Sequence, residues 1–262
     1  MSVRRKIAIA TWSAPREGNI YGKLVLDAEP VLKYLDELRA ETGVHVTLTH
    51  VVIRALALTL REAIGLNGRI FMGRFIPNKT VDLSVAVAID GGANLAMVKV
   101  ERADELSILE LANLLNAKTR STREGKDREV NQQMSLARWT PWFILRPLVK
   151  LLGWISTPLG LSLPAMGVRS APFGCALISN VGVFGVDEAF IPPVPFAHIP
   201  LYLLMGSVRE APYADQGEVK IRREITLTAT LDHRFIDGAQ AAVLARLLRQ
   251  AFADPESLRI RN

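Results

Sequence analysis

"LDHRFIDGA", residues 231–239, lies where two hydrophobic patterns meet. Upstream, "EITLTATLD" (224–232) alternates, with Ile225, Leu227, Ala229 and Leu231 on one side and Thr226, Thr228 and Thr230 on the other. That period of two is a strand. Downstream, from about Ala239 to Ala253, Val243, Leu244, Leu247, Leu248, Ala251 and Phe252 stack at helical spacing. The stretch is thus a strand-to-helix turn carrying His233, with Asp237 and Gly238 at the start of the helix. A strand end that delivers an imidazole to a cleft can supply a general base, because neutral imidazole titrates near working pH. A polar turn without chemistry has the same residues. Asp237 can hold the turn by hydrogen bonds or pair with an arginine, and Gly238 is expected where a side chain would clash.

The rest of the chain reads as a mixture of both element types. "DAEPVLKYLDELRAETG" (27–43) predicts a helix capped by Asp27 and stopped at Gly43. "TLTHVVIRALALTLREAIG" (47–65) is apolar nearly all round and predicts a buried helix. "TVDLSVAVAID" (80–90) and "GGANLAMVKV" (91–100) read as two strands joined by a Gly-Gly turn. "SILELANLLNAKTR" (107–120) opens with Ser107 and Glu110 in capping-box spacing. "FGCALISNVGVFG" (173–185) is a strand running into a Gly-rich turn, and "LYLLMGSV" (201–208) is another strand. No regular strand–helix–strand repeat appears. The expectation is one α/β domain over 1–262, a mixed sheet packed with helices, and neither a Rossmann nor a barrel fold.

Composition narrows the function classes. A 262-residue chain that is 49% hydrophobic and 22% charged can bury a sizeable core. Its net charge of +6 suits a phosphate-bearing ligand, an acidic carrier protein or an anionic membrane surface. No basic run is interleaved with aromatics, so no nucleic-acid partner is expected. The single cysteine, Cys175, excludes an intrachain disulfide and a Cys-rich metal site. It alternates with Leu177 and Ser179, which would put it on their face as a buried, inert thiol. His45 and His50 read as structural, and His198 sits in the Pro-rich "IPPVPFAHIP". "MSVRRKIAIATW" shows no signal peptide, and the cytoplasm is the default location.

One segment stands apart. "RWTPWFILRPLVKLLGWISTPLGLSLPAMG" (138–167) holds three of the four tryptophans and four prolines. Arg146, Lys150, Pro147 and Pro158 argue against a clean membrane-spanning helix. It is expected as an insertion at about 127–170 that packs in a core or against another subunit, roofs an acyl pocket, or makes a peripheral membrane contact.

In "ISNVGVFG" (178–185), Ser179 ends a strand and precedes a turn with Asn180, Gly182 and Gly185. A hydroxyl there can donate to a developing oxyanion. Ordinary turn chemistry accounts for the same residues. No Gly-x-Ser-x-Gly elbow marks Ser179 as a nucleophile.

Taken together, "ISNVGVFG" and, about fifty residues on, "DHRFIDG", then a helix and "DPESL", resemble the catalytic domain of the dihydrolipoamide acyltransferases of 2-oxo acid dehydrogenase complexes. "RRKIA" near the start, "VTLTHVVIRALALTLRE" and "VDLSVAVAIDGG" are similar to further stretches of that family. The resemblance covers about residues 3–122 and 172–257. It implies a chloramphenicol-acetyltransferase-like two-layer fold and acyl transfer between a dihydrolipoyl arm and coenzyme A in a channel between subunits of a homotrimer, or of a larger assembly of trimers. It implies His233 as general base, Ser179 of the adjacent subunit as oxyanion donor, and Asp237 as a structural partner of an N-terminal arginine, best matched by Arg4. Arg4, Asn180 and Gly182 are carried as candidate coenzyme A contacts, although Asn180 and Gly182 also suit a turn-shaping role. No metal is implied.

Departures qualify the match. The chain begins where the family's catalytic domain begins, so the lipoyl group is expected from another protein, a lipoyl-carrier or acyl-carrier partner. About forty extra residues precede the Ser179 strand. "NLAMVKV", with Met97 and Lys99, replaces a Val-Pro-Val pattern. Thr49-His50 replaces Asn-Asp, and "NIYGKL" lacks a Pro-His. Two other readings stay open: a non-enzymatic assembly or scaffold paralogue, and acyl transfer to a hydroxyl or amine acceptor.

Overall fold

The computed structural model describes residues 18–89, 94–123 and 140–259. Among the described residues, the strands and α-helices in chain order are β1 (Asn19–Asp27), α1 (Glu29–Thr42), α2 (Leu48–Glu62), β2 (Gly68–Phe71), β3 (Arg74–Pro77), β4 (Leu83–Ile89), β5 (Asn94–Val100), α3 (Ile108–Arg123), α4 (Trp142–Ser156), β6 (Ala176–Asn180), β7 (Leu201–Asp215), β8 (Glu218–Asp232) and α5 (Gly238–Ala253). Six strands form one sheet in the order β1-β8-β7-β6-β4-β5, and β2 and β3 form a separate hairpin. β4, β6 and β7 run parallel, and the remaining neighbours are antiparallel. The expected mixed sheet is present.

The apolar residues of each strand meet the helices on one face. Leu24 and Leu26 of β1, Leu203 and Met205 of β7, and Leu227 and Leu231 of β8 share a core with Val52, Leu56 and Leu60 of α2 and Leu244 and Leu248 of α5. α2 is the centre of this layer, buried from His50 to Leu60 except for Leu58, as its all-round apolar sequence predicts. Complete burial of one such leucine contributes about 2 kcal/mol.

The termini of the helices follow local chemistry. α1 stops at Gly43, whose φ of 67° is the left-handed conformation that glycine tolerates. The N-cap position of α1 is Ala28, one residue later than expected, and Asp27 Oδ1 accepts from the Glu29 amide at 2.9 Å. Ser107 and Glu110 form the predicted reciprocal cap before α3, with Ser107 N donating to Glu110 Oε2 at 2.8 Å and Glu110 N to Ser107 Oγ at 3.2 Å. Thr47 and His50 form a second box at α2, which gives His50 a structural role. The Gly-Gly turn between β4 and β5 lies outside the described residues.

The other sheet face differs from what alternation suggests. Thr226, Thr228 and Thr230 point away from the helices yet are buried. The segment after β6 covers this face: Thr228 Oγ1 donates to the Ala189 carbonyl, and Leu177 and Tyr202 pack with Ala197 and Ile199. Cys175 precedes β6, so strand alternation does not reach it. It packs in the main core with Ala176 and Ile178, whereas Leu177 belongs to the opposite face.

β7 and β8 run past the sheet. β6 leaves β7 at Met205, and β1 leaves β8 at Glu224, while β7 and β8 remain paired to Asp215 and Glu218. The result is a two-stranded ribbon closed by Gln216 and Gly217, both at positive φ. α4 occupies the Trp-rich segment and contains Pro147. Among the described residues no helix is long and apolar enough to cross a membrane.

Candidate active site

The His233 turn is hydrogen-bonded at nearly every residue. The Asp232 amide donates to the Pro200 carbonyl and the His233 amide to the Gly18 carbonyl, each at 2.9 Å, which anchors the end of β8. The buried Asp232 carboxylate accepts from the Arg234 amide at 3.0 Å and from its guanidinium, with Nε at 3.0 Å and Nη2 at 2.5 Å. Ile236 is buried in the core and fixes the far side of the turn. Asp237 then caps α5, accepting from the amides of Ala239 (2.9 Å) and Gln240 (3.2 Å), while Gln240 Oε1 accepts from the Asp237 amide (2.9 Å).

Within this frame the His233 ring is held by one bond, Nδ1 to the Ile236 carbonyl at 2.7 Å. A carbonyl oxygen only accepts, so Nδ1 carries a proton, and in the neutral tautomer that this bond selects, the lone pair sits on Nε2. The residue is exposed. The arrangement therefore orients the ring and directs Nε2 away from the Ile236 carbonyl, where it can serve as a base.

Asp237 serves the cap, and its expected partner Arg4 lies outside the described residues. Gly238 does not avoid a clash. A Cβ there would meet nothing within 4 Å, and its φ is not positive. Two close approaches lie after β6. A Cβ on Gly182 would come within 2.4 Å of the Gly206 carbonyl oxygen. One on Gly206 would come within 1.8 Å of the Asp187 carbonyl oxygen.

Ser179 lies half-buried in β6, level with Ala86 on one side and Leu204 on the other. Beside it, Asn180 Nδ2 donates to Thr49 Oγ1 in the first turn of α2 at 2.9 Å. The amide of Val181 donates to the Met205 carbonyl at 3.0 Å. These bonds fix the end of the strand. Thr49 entered the sequence reading only as a departure from the family pattern, and the Ile236 carbonyl and the Asp232–Arg234 pair were not singled out. Only the last has a local signal, an acid and an arginine two residues apart in a turn.

Within one chain, His233 and Ser179 do not meet. Ser179 is level with Leu204 of β7 and through it with Thr228 of β8, and His233 lies five residues further along β8. At about 3.3 Å per residue and 4.8 Å per strand, the two backbones lie about 16 Å apart along the strands and about 10 Å across them.

The other candidates fall away from this pair. Burial pushes the Cys175 thiol up to about 12, with Asp82 adding to the shift, and its Sγ donates to the Asp82 carbonyl at 3.2 Å. Burial also drives His50 down to about 4, with His45 adding to the effect. His198, at a positive φ of 51°, lies beside the His233 turn and lines a shallow surface cleft with Asn19, Tyr202, Asp232 and Arg234.

The model of the 2-oxoacid dehydrogenase acyltransferase catalytic domain matches residues 4–135 and 173–260. The chain belongs to this family. The residues that the family model skips, 136–172, include α4. The dihydrolipoyllysine-residue acetyltransferase component of the Zymomonas mobilis pyruvate dehydrogenase complex is 25% identical over 260 residues, covering 97% of this chain and 49% of that protein. The chain spans less than half the length of the first curated relatives it matches. Among solved structures, the cubic core of the pyruvate dehydrogenase multienzyme complex superposes with a TM-score of 0.69 at 18% identity, covering 97% of this chain and 88% of that one. A chloramphenicol acetyltransferase superposes with a TM-score of 0.53 at 10% identity, covering 95% and 94%. The acyltransferase fold is therefore that of the acetyltransferase-like two-layer proteins.

Proposed function

We propose that this chain transfers acyl groups between a dihydrolipoyl-type thiol carrier and coenzyme A, at a site assembled from two copies of the chain. The observation that carries this reading is the His233 Nδ1 bond to the Ile236 carbonyl, which leaves Nε2 as a base. Free thiols have pKa values of about 8.5, so few are ionised at neutral pH without such a base. In this reading Nε2 takes the proton of the incoming thiol. The thiolate sulfur attacks the acyl carbonyl of the thioester, and a new C–S bond forms. Ser179 Oγ–H of the neighbouring copy donates to the tetrahedral oxyanion. One such donor is worth about 3 kcal/mol at the transition state. The intermediate collapses, the old C–S bond breaks, and the departing thiolate recovers the proton from Nε2. The Ile236 carbonyl stabilises the imidazolium formed between these steps.

The distance between His233 and Ser179 in one chain supports a shared site, and membership of a family with a multimeric structural neighbour supports a trimer-based assembly. Asn180 and Gly182 hold the turn that carries Ser179, through Thr49 and Gly206.

The test is His233→Ala, with acyl transfer from acyl-coenzyme A to dihydrolipoamide measured alongside the oligomeric state. A loss of about 10²–10⁴-fold with the oligomer intact is expected. Undiminished transfer would sink the mechanism.

A further inference from the structure

α4 presents an apolar face to the outside of the molecule. Ile144, Pro147, Leu151 and Trp154 recur at i, i+3, i+7 and i+10 on its outer side, and all are exposed. With Phe143 and, just beyond the helix, Leu161, the large apolar side chains of this patch are 48–62% exposed. Single exposed leucines are ordinary on a protein surface, but a row of this kind is not. The face is also fixed in direction. Leu145, Gly153 and Ser156 point inward and are buried. Gly153 lies so close to the Phe196 backbone that a Cβ would come within 2.4 Å of its carbonyl oxygen. Arg69 Nε donates to the Pro158 carbonyl at 3.2 Å, and the Ala171 amide to the Ser156 carbonyl at 2.9 Å. The helix cannot roll to hide Leu151 and Trp154 without breaking these contacts.

Charge selects the occupant. From residue 130 to residue 186 the chain holds four cationic residues, Arg138, Arg146, Lys150 and Arg169, and no acidic one; Arg169 pairs with Glu101 at 3.9 Å, which leaves Arg146 and Lys150 as the cations of the helix itself. Lys150 is exposed within the apolar row, and Arg146 is half-buried beside it. We propose that α4 is an interfacial anchor that lays its outer face into the headgroup–acyl boundary of an anionic lipid bilayer. A helix of 15 residues is about 22 Å long, too short to cross the hydrocarbon core, and it lies in the plane instead. Trp154 suits the interface, and the stem of Lys150 covers apolar surface while its ammonium reaches the phosphates. A two-fold contact between copies through α4 fits less well, because it would set Arg146 and Lys150 against their own kind with no carboxylate from the same stretch to neutralise them. The proposal does not depend on the acyl-transfer reading.

The experiment is co-sedimentation of the full chain with vesicles of pure phosphatidylcholine and with equimolar phosphatidylglycerol–phosphatidylcholine vesicles. Binding to the anionic vesicles that weakens with salt is expected, with a partition coefficient about tenfold lower in Leu151→Glu/Trp154→Glu. Lys150→Gln is expected to lose about fivefold on anionic vesicles and nothing on neutral ones. This second variant changes one exposed side chain and keeps the test readable if the double variant unfolds. No sedimentation of the parent with anionic vesicles overturns the proposal. So does binding that neither variant weakens, which would mark diffuse attraction by the overall charge. An oligomer broken by the substitutions, with lipid binding unchanged, would assign the face to a second copy and overturn it as well.

Discussion

Ser179 and His233 sit at opposite ends of the same sheet, two strands apart, with their backbones about 19 Å from each other. A base and an oxyanion donor serving one thioester must lie within hydrogen-bonding reach of a single reacting centre. A catalytic pair made of these residues therefore requires two copies of the chain. Co-expression of His233→Ala with Ser179→Ala is the check. Each variant alone should lose at least about tenfold of the transfer rate, whereas the mixed oligomer should regain part of it, because some interfaces then join an intact histidine to an intact serine. A mixture no more active than its components would place the pair within one chain or remove Ser179 from the reaction.

Asp237 caps α5 directly below the His233 turn. Loss of a cap carboxylate costs about 0.5–2 kcal/mol, and asparagine caps nearly as well. Asp237→Ala should therefore lower the unfolding free energy by about that amount, and Asp237→Asn should change it by a few tenths of a kcal/mol. An Asp237→Asn variant as unstable as Asp237→Ala in urea unfolding would show that the charge matters, as pairing with Arg4 requires.

Two glycines should respond in opposite directions. Gly182→Ala forces a Cβ into the Gly206 backbone and should cost about 1–3 kcal/mol, with a loss of transfer because the turn after Ser179 must move. Gly238→Ala places its methyl in open space at the start of a helix and should be neutral or stabilising by up to about 1 kcal/mol. Thermal unfolding of both variants decides the matter.

His50 sets a pH dependence of stability. Its imidazole is neutral in the fold, where Nδ1 accepts from the Thr47 amide at 3.0 Å, and burial lowers its pKa from 6.5 to about 4. Between these values the unfolded chain binds more protons than the folded one, so stability rises with pH. The contribution is complete above about pH 6.5 and is lost as the pH falls toward 4, on the order of 3 kcal/mol in all. His50→Gln keeps an acceptor at the same cap position and cannot titrate. Urea unfolding from pH 7 to pH 4 should show a shallower acid slope in that variant, and an unchanged slope would remove His50 as its cause.

The elements legible in the sequence are those whose information is local. The apolar run of α2, the reciprocal Ser107–Glu110 cap and the strand-to-helix turn at His233 each lie within a window of a few residues, and the structure holds them nearly as read. What escaped depends on distant pairing. The alternation of Thr226, Thr228 and Thr230 marks a second strand face correctly but not what lies on it, because Ala189 and Ile199 arrive from another part of the chain. The ribbon at 209–224 has a charged, irregular sequence, and its pairing is set by a turn and by the register of the strands behind it. At the candidate site, the turn that carries His233 and the strand end that carries Ser179 were readable from their motifs. Their separation follows from strand order and direction, which neither motif encodes. The Asn180–Thr49 bond joins residues 131 positions apart.

The ribbon formed by β7 and β8 has a cost of its own. Past Met205 and Glu224 both of its outer edges lack a neighbouring strand, and such edges can recruit strands from other molecules. Val219 and Ile221 near its tip are also exposed, at 78% and 72%. The flanking residues counter both hazards. Pro212 offers no amide to an incoming strand, and Glu210, Asp215, Glu218, Lys220, Arg222 and Arg223 line the ribbon with charges of both signs. Arg222 lies over the Tyr213 ring, 4.5 Å from its centre. The mixed charges and Pro212 thus act as a guard on an open strand edge, and replacing them with neutral β-formers would leave the overhang a template for pairing with other chains.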